Sequence, residues 1–316
     1  MEASAIILEQ PERVALEVLA IDAPSDADCV VEIAWSGVST GTERLLWSGT
    51  MPAFPGMGYP LVPGYESVGR VVEAGKASGR KVGDWVFVPG AQCFGEIRGL
   101  FGGAAERVTV PGARLTLIDE SLGEQGVLMA LAATAYHALA TPHAAEPDLV
   151  VGHGVLGRLL ARLLAASARD HGAPAPVVWE IAPERMGGAQ GYDVVSPDTD
   201  ERRAYGRIFD VSGDPKLIDT LVGRLAKGGE LVLAGFYPGR VDFDFAPAFM
   251  KEARFRIAAE FTPADLSAVS ALVSRGVLDL GGLITHHRRP EEAGDAYRTA
   301  FSDAECLKMI LNWRAS

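Results

Sequence analysis

Between the apolar run Pro147-Asp148-Leu149-Val150-Val151 and a helix faced by Leu156, Leu159, Leu160, Leu163 and Leu164 lies the hexapeptide Gly152-His153-Gly154-Val155-Leu156-Gly157. It matches G-x-G-x-x-G, a weak signal alone. With 36 glycines in 316 residues, three glycines so spaced arise by chance roughly 0.5 times in a chain of this composition. The setting carries the weight. A strand precedes the motif, a helix follows it, and Glu180 closes the next strand, Val177-Val178-Trp179, about 20 residues on. Gly152 then permits the tight turn, Gly154 lets the backbone approach a pyrophosphate, and Gly157 lets the helix pack on the strand. The first helical turn offers unpaired N–H groups and the positive end of its dipole to phosphates. The competing reading is a structural glycine-rich turn.

Glu180 bears on the choice of dinucleotide. A carboxylate there accepts both ribose hydroxyls, whereas a 2′-phosphate meets like charge, so NAD is expected over NADP, with Arg185 nearby to soften the preference. The candidate cofactor residues are Gly152, His153, Gly154, Val155, Leu156, Gly157 and Glu180. Ser212, Gly213, Gly235 and Phe236, which follow later strands, complete the set.

The motif sits in an alternating pattern. Strand-like Ile208-Phe209-Asp210-Val211 and Leu231-Val232-Leu233 flank a helix marked by Leu217, Ile218, Leu221, Val222 and Leu225, with a stop expected at Lys227-Gly228-Gly229. Alternating strand and helix predicts a parallel, doubly wound sheet. Before residue 121 the chain differs: Val30–Trp35, Val68–Glu73, Lys81–Val88 and Ala105–Val110 are short β-rich runs between Gly, Pro and Ser clusters. After Thr262 come two amphipathic helices and a final strand, Leu307–Leu311. The expected class is α/β. A β-rich unit of 1–121 is completed by 263–316, with a nucleotide domain inserted at 122–262.

Composition narrows the function classes. Hydrophobic content of 48% with 22% charged residues is that of a folded globular protein. The formal charge, 29 − 41 = −12, repels phosphate backbones, so nucleic acid is not an expected partner. Cys29, Cys93 and Cys306 are three in number and widely spaced, which suits neither a disulfide framework nor a four-cysteine zinc site and fits a reducing cytoplasm. The N-terminal residues lack the basic-then-apolar pattern of a signal peptide. The apolar stretch Gly126–Ala140, ending at Thr141-Pro142, is shorter than the roughly 20 residues of a spanning helix and is expected to be a buried one. A homo-oligomer is compatible with all of this.

A β-unit, a nucleotide unit and a β-unit return resemble the medium-chain dehydrogenase/reductase superfamily, which joins a GroES-like domain to a Rossmann domain. Zinc members of that superfamily carry Cys-Gly-Thr-Asp and Gly-His-Glu segments. The corresponding stretches here are Ser39-Thr40-Gly41-Thr42-Glu43 and Gly64-Tyr65-Glu66. Cysteine is replaced by Ser39 or Thr40 and histidine by Tyr65, while Glu66 survives. Zinc wants thiolate or imidazole ligands, so a metal-free member is expected. Ser39–Gly49 and Met51–Gly69, with Thr134–Leu139, resemble more narrowly the bacteriochlorophyllide a dehydrogenase family of anoxygenic phototrophs. That resemblance implies NAD-dependent oxidation of the 3-(1-hydroxyethyl) group of a tetrapyrrole, a (bacterio)chlorophyllide, to 3-acetyl.

The residues suggest how such a substrate is held. Trp47, Met51, Phe54, Met57 and Tyr59 offer aromatic faces and thioethers suited to a flat macrocycle, and Arg44 or Arg98 suits its propionate. The plainer reading is a loop packing its own aromatics. Without zinc, the alcohol proton needs a protein path, and the candidate catalytic residues are Tyr65, Ser39, Thr42, Glu66 and His137. Tyr65 is a direct acceptor only if a neighbouring charge lowers its pKa from about 10; His137 needs no such tuning but sits in an apolar helix; a Ser39/Thr42 relay to solvent is the third route. Two other functions share the fold: a zinc-free NADPH-dependent enone or quinone reductase, and a non-catalytic cofactor- or pigment-binding protein.

Overall fold

The computed structural model describes residues 1–139, 148–237 and 239–314. The chain folds into two compact units, 1–130 with 281–316, and 131–280. Helix Pro263–Ser274 therefore belongs with the second unit, where the sequence pattern places it with the first. Its N-terminus is capped by Thr262, which exchanges hydrogen bonds with Asp265.

The second unit is built on six parallel strands: Asp148–Val151, Val177–Trp179, Asp193–Val195, Tyr205–Asp210, Leu225–Leu233 and Arg254–Ile257. Numbered within the unit, their order across the sheet is 3-2-1-4-5-6, the doubly wound Rossmann arrangement. The first strand is buried along its whole length, as a strand covered on both faces must be. Helix Val155–His171 buries Leu159, Leu160, Leu163 and Leu164 and ends on Gly172 in the left-handed conformation (φ 65°). Strand order reverses between the first and fourth strands, so the turns after Val151 and Asp210 lie side by side at the carboxyl edge of the sheet, where such folds bind ligands.

Two local expectations are corrected. Helix Ile218–Arg224 ends before Lys227-Gly228-Gly229, and those residues lie inside the fifth strand. Gly228, at φ 75°, marks a break in regular strand geometry rather than a helix cap. The apolar stretch from Gly126 forms helix Met129–Ala138; Ala140, Thr141 and Pro142 lie outside the described residues.

The first unit contains a seven-stranded and a four-stranded sheet. Strand Asp28–Val38 is its axis. It pairs antiparallel with Ser67–Ala74, with Arg107–Pro111 and with the C-terminal strand Met309–Asn312. The C-terminal segment is thus an integral strand of the β-rich unit, which brings Lys308 beside the Ser39–Glu66 region. All three cysteines are buried free thiols, and among the described residues no helix is long and apolar enough to cross a membrane.

Candidate active site

The glycine turn of the second unit has the features of a phosphate cradle. Gly152 adopts φ 105°, a conformation that excludes most side chains. A Cβ on Gly157 would lie 1.9 Å from the Gly152 carbonyl oxygen, so helix and turn meet only because residue 157 is glycine. A Cβ on Gly154 would meet nothing within 4 Å. Gly154 is also the N-cap of helix Val155–His171, and no side chain caps it. Open space in front of uncapped N–H groups is what a pyrophosphate requires. The fit to a dinucleotide therefore holds at the backbone.

Glu180 is 8% exposed. One carboxylate oxygen accepts the N–H groups of Ile181 (2.7 Å) and Ala182 (2.9 Å), and the other accepts the N–H of His153 (3.0 Å). Burial pushes its pKa up, but these backbone donors and Arg185 outweigh burial and hold it below the ordinary glutamate value. It is an anion fixed to the glycine turn, with acceptor capacity left on the oxygen facing His153.

Two further turns at the carboxyl edge are organised by Asp210, which the motif reading did not single out. Its buried carboxylate accepts the Ser212 N–H (2.8 Å) and hydroxyl (2.6 Å) and the Tyr237 hydroxyl (2.5 Å). A Cβ on Gly213 would lie 2.6 Å from the Phe236 carbonyl oxygen, and one on Gly235 2.9 Å from the Gly213 nitrogen. Both glycines thus serve close packing of these turns, while Phe236 stands exposed.

In the first unit, Ser39, Thr42 and Tyr65 come together. Tyr65 Oη lies 2.8 Å from Ser39 Oγ and, more loosely, 3.5 Å from Thr42 Oγ1. Ser39 is buried and Thr40 exposed, so Ser39 is the hydroxyl that faces Tyr65. Glu66 is fully buried and receives the Lys308 ammonium at 2.5 Å; its second oxygen has no hydrogen-bond partner. Glu43, in the first turn of helix Thr42–Ser48, accepts the Ser39 N–H (3.1 Å) and the Tyr297 hydroxyl (2.6 Å).

This environment does not meet the condition for Tyr65 as a direct acceptor, a pKa lowered by a neighbouring charge. Burial raises it well above the ordinary phenol value, the nearby Glu66 charge raises it further, and the hydrogen bonds with Ser39 and Thr42 do not compensate. Tyr65 is held as a neutral hydroxyl rather than a standing phenolate. Glu43 is itself displaced: burial pushes its pKa from 4.5 to about 7 against the hydrogen bond from Tyr297. Glu43, Tyr297 and Lys308 were not legible as site residues, because their partners are far away in the chain. The only hint is an acid just past the Ser39-Thr40-Gly41 turn.

His137 lies in the second unit, where Nδ1 is 2.9 Å from the Asp265 carboxylate at the capped end of helix Pro263–Ser274, the fate of a histidine that fastens two elements. His153 is also withdrawn: its ring is fully buried and both nitrogens are taken by Arg185 O and Tyr192 Oη. Of the apolar loop set, Trp47, Met51, Met57 and Tyr59 pack against the core around Leu46, Leu61 and Tyr297. Trp47 lies 5.4 Å from Phe301, and the Tyr59 hydroxyl donates to Leu46 O. These four are first of all packing residues, since the loop buries apolar surface on its own unit. Phe54 and Arg44 are exposed.

Comparison with known proteins agrees with this architecture. Residues 25–120 match the alcohol dehydrogenase GroES-like domain. The chain is 57% identical over 315 residues, 99% of both chains, to the 2-desacetyl-2-hydroxyethyl bacteriochlorophyllide A dehydrogenase of Rhodobacter capsulatus. It is equally similar over its full length to the protein of that name from Cereibacter sphaeroides. Among solved structures, an alcohol dehydrogenase from Escherichia coli complexed with NADH and 2R,3R-butanediol dehydrogenase from Bacillus subtilis superpose with TM-scores of 0.83. Each covers 98% of this chain and is covered over 99% of its own, at 20% identity. The fold is therefore shared with these two dehydrogenases.

Proposed function

We propose a function from one premise: the chain belongs to the 2-desacetyl-2-hydroxyethyl bacteriochlorophyllide A dehydrogenase family, within the medium-chain dehydrogenase/reductase superfamily. On this reading it oxidises the hydroxyethyl group of a bacteriochlorophyllide to acetyl in bacteriochlorophyll biosynthesis, with NAD as acceptor and without zinc. The observation that carries it is a likeness running through both units at a level where fold alone is not the explanation.

NAD, when bound, accepts the hydride of the secondary alcohol. Gly152, Gly154 and Gly157 would hold its pyrophosphate at the helix N-terminus, and Glu180 its adenosine ribose; the fixed charge of Glu180 disfavours a 2′-phosphate. In the first unit, Tyr65 Oη takes the proton of the reacting oxygen as its own passes to the partly exposed Thr42 hydroxyl, 3.5 Å away, which releases its proton to solvent, while Ser39 Oγ, 2.8 Å from Tyr65 Oη, holds the phenol in place. The Tyr65 and Ser39 hydroxyls stabilise the reacting oxygen by hydrogen bonding, where zinc relatives use a metal as a Lewis acid. The donor set supports this: Ser39 and Tyr65 are weak zinc ligands, and Glu66 is already neutralised by Lys308. Phe54 and Arg44 are the outward-facing members of the substrate set, suited to a macrocycle face and a propionate, with the packed loop beneath them.

The test is to incubate the protein with 2-desacetyl-2-hydroxyethyl bacteriochlorophyllide a and either NAD or NADP, following pigment absorption and nicotinamide reduction together. The reading requires matched conversion of both with NAD preferred. Dinucleotide binding without pigment turnover would contradict it.

A further inference from the structure

The side chain of His153 faces away from the phosphate cradle, into a buried network. Its ring is wholly buried. Nδ1 lies 2.6 Å from the Arg185 carbonyl oxygen, which only accepts, so Nδ1 carries the proton. Nε2 is then bare and accepts from the Tyr192 hydroxyl at 2.9 Å. Burial lowers the ring's pKa to about 4, which agrees with a neutral imidazole of fixed tautomer.

Arg158, one helical turn on, makes the same connection. Its Nε donates to His153 O (3.0 Å) and its Nη2 to Arg185 O (3.1 Å). The loop runs so close that a Cβ on Gly188 would lie 2.2 Å from Arg158 Nη1, and Gly188 sits at φ 82°. The segment 180–192 is therefore tied to the glycine turn three times. Glu180 accepts the His153 N–H at its start, Arg185 O binds His153 and Arg158 in its middle, and Tyr192 closes it.

We propose that His153, with Arg158 and Tyr192, is a positioning residue for the adenosine half of the dinucleotide: the buried lock fixes the Glu180 carboxylate relative to the phosphate cradle and so sets the preference for NAD over NADP. The proposal rests on the reading of Glu180 as the ribose acceptor. A carboxylate that discriminates a hydroxyl from a phosphate must be held in place, because a mobile one retreats from the phosphate and forfeits the discrimination. The lock needs no contact with the cofactor. It acts through the backbone N–H of residue 153, whose position the ring determines.

The experiment compares His153→Ala, His153→Asn, Tyr192→Phe and Glu180→Ala by NADH and NADPH fluorescence titration, with circular dichroism and Tm as checks on folding. His153→Ala should weaken NADH roughly tenfold while NADPH changes less, and should raise the KM for NAD more than it lowers kcat. His153→Asn keeps a donor near the Nδ1 position and should recover part of the loss. Tyr192→Phe, which removes one hydroxyl, should move the NADH-to-NADPH ratio in the same direction by a smaller factor. It carries the test if His153→Ala does not fold. A lower Tm with an unchanged ratio in the His153 and Tyr192 variants, alongside a shifted ratio in Glu180→Ala, overturns the lock and leaves the Glu180 reading standing. An unchanged ratio in Glu180→Ala overturns both.

Discussion

The glycine turn and the hydroxyl cluster are both set by short segments, yet they are made in different ways. The turn presents backbone: uncapped N–H groups, open space at Gly154, a positive φ at Gly152 that disfavours a side chain, and no room for one at Gly157. Its properties follow from local geometry. The hydroxyl cluster presents side chains, and its properties come from groups brought in from the far end of the chain. Tyr297 reaches Glu43 across 254 residues and Lys308 reaches Glu66 across 242. A backbone site tolerates many neighbours; a buried side-chain site has its proton affinities set by them.

The sharpest way to break this contrast is at Gly154. Gly154→Val places a branched side chain in the space left for a pyrophosphate while the fold is kept, since nothing lies within 4 Å of its Cβ. NADH affinity should fall at least ~100-fold by fluorescence titration. Unchanged affinity would remove residues 152–157 from the cofactor site.

In the hydroxyl cluster, Tyr65→Phe keeps the ring and its edge contact with Phe101 but removes the oxygen. On the proposed reading kcat falls about 100-fold while NADH affinity holds. A loss smaller than about threefold would make Tyr65 a packing residue and leave the proton to Ser39 and Thr42.

Much of the nucleotide unit was legible because each signal there is local: strand, glycines, helix face and acid lie within a few tens of residues. The metal-ligand positions were legible by resemblance, since Ser39, Tyr65 and Glu66 stand in short matching segments. The loop of Trp47, Met51, Met57 and Tyr59 was harder to place. Aromatic and thioether side chains suit a macrocycle and a core equally well, and only three-dimensional packing shows four of them turned inward. His153 is reactive by type, but burial and its hydrogen bonds to Arg185 and Tyr192 make it a fastener, and the partly exposed His137 ring is engaged by Asp265. The Tyr65 environment was out of reach for another reason. The sequence shows Glu66 beside it but not the burial that raises its pKa.

A smaller effect probes the charge behind the hydroxyl pair. Glu43 binds its proton more tightly in the folded state, with a pKa near 7 against 4.5. Between those values the folded protein holds more protons than the unfolded one, so this group's contribution to stability is present below about pH 4.5 and is lost as pH rises through 7. The loss is on the order of 3 kcal/mol. Glu43→Gln removes the titration. Urea unfolding at pH 5 and pH 8 should show the variant gaining on the wild type by that order as pH rises; a constant difference would mean that Glu43 titrates normally.

The central claim is that hydroxyls and a neutralised carboxylate stand where zinc relatives use a metal, and its most direct measurement expects almost no effect. The enzyme is treated with a zinc chelator, exchanged into metal-free buffer, and assayed with 2-desacetyl-2-hydroxyethyl bacteriochlorophyllide a and NAD, pigment conversion and NADH being read together. The account predicts that kcat stays within about twofold of the untreated enzyme, because among the described residues no group of three His, Cys, Asp or Glu side chains could hold a metal ion. Loss of turnover with the chelator, restored by added zinc, would contradict it.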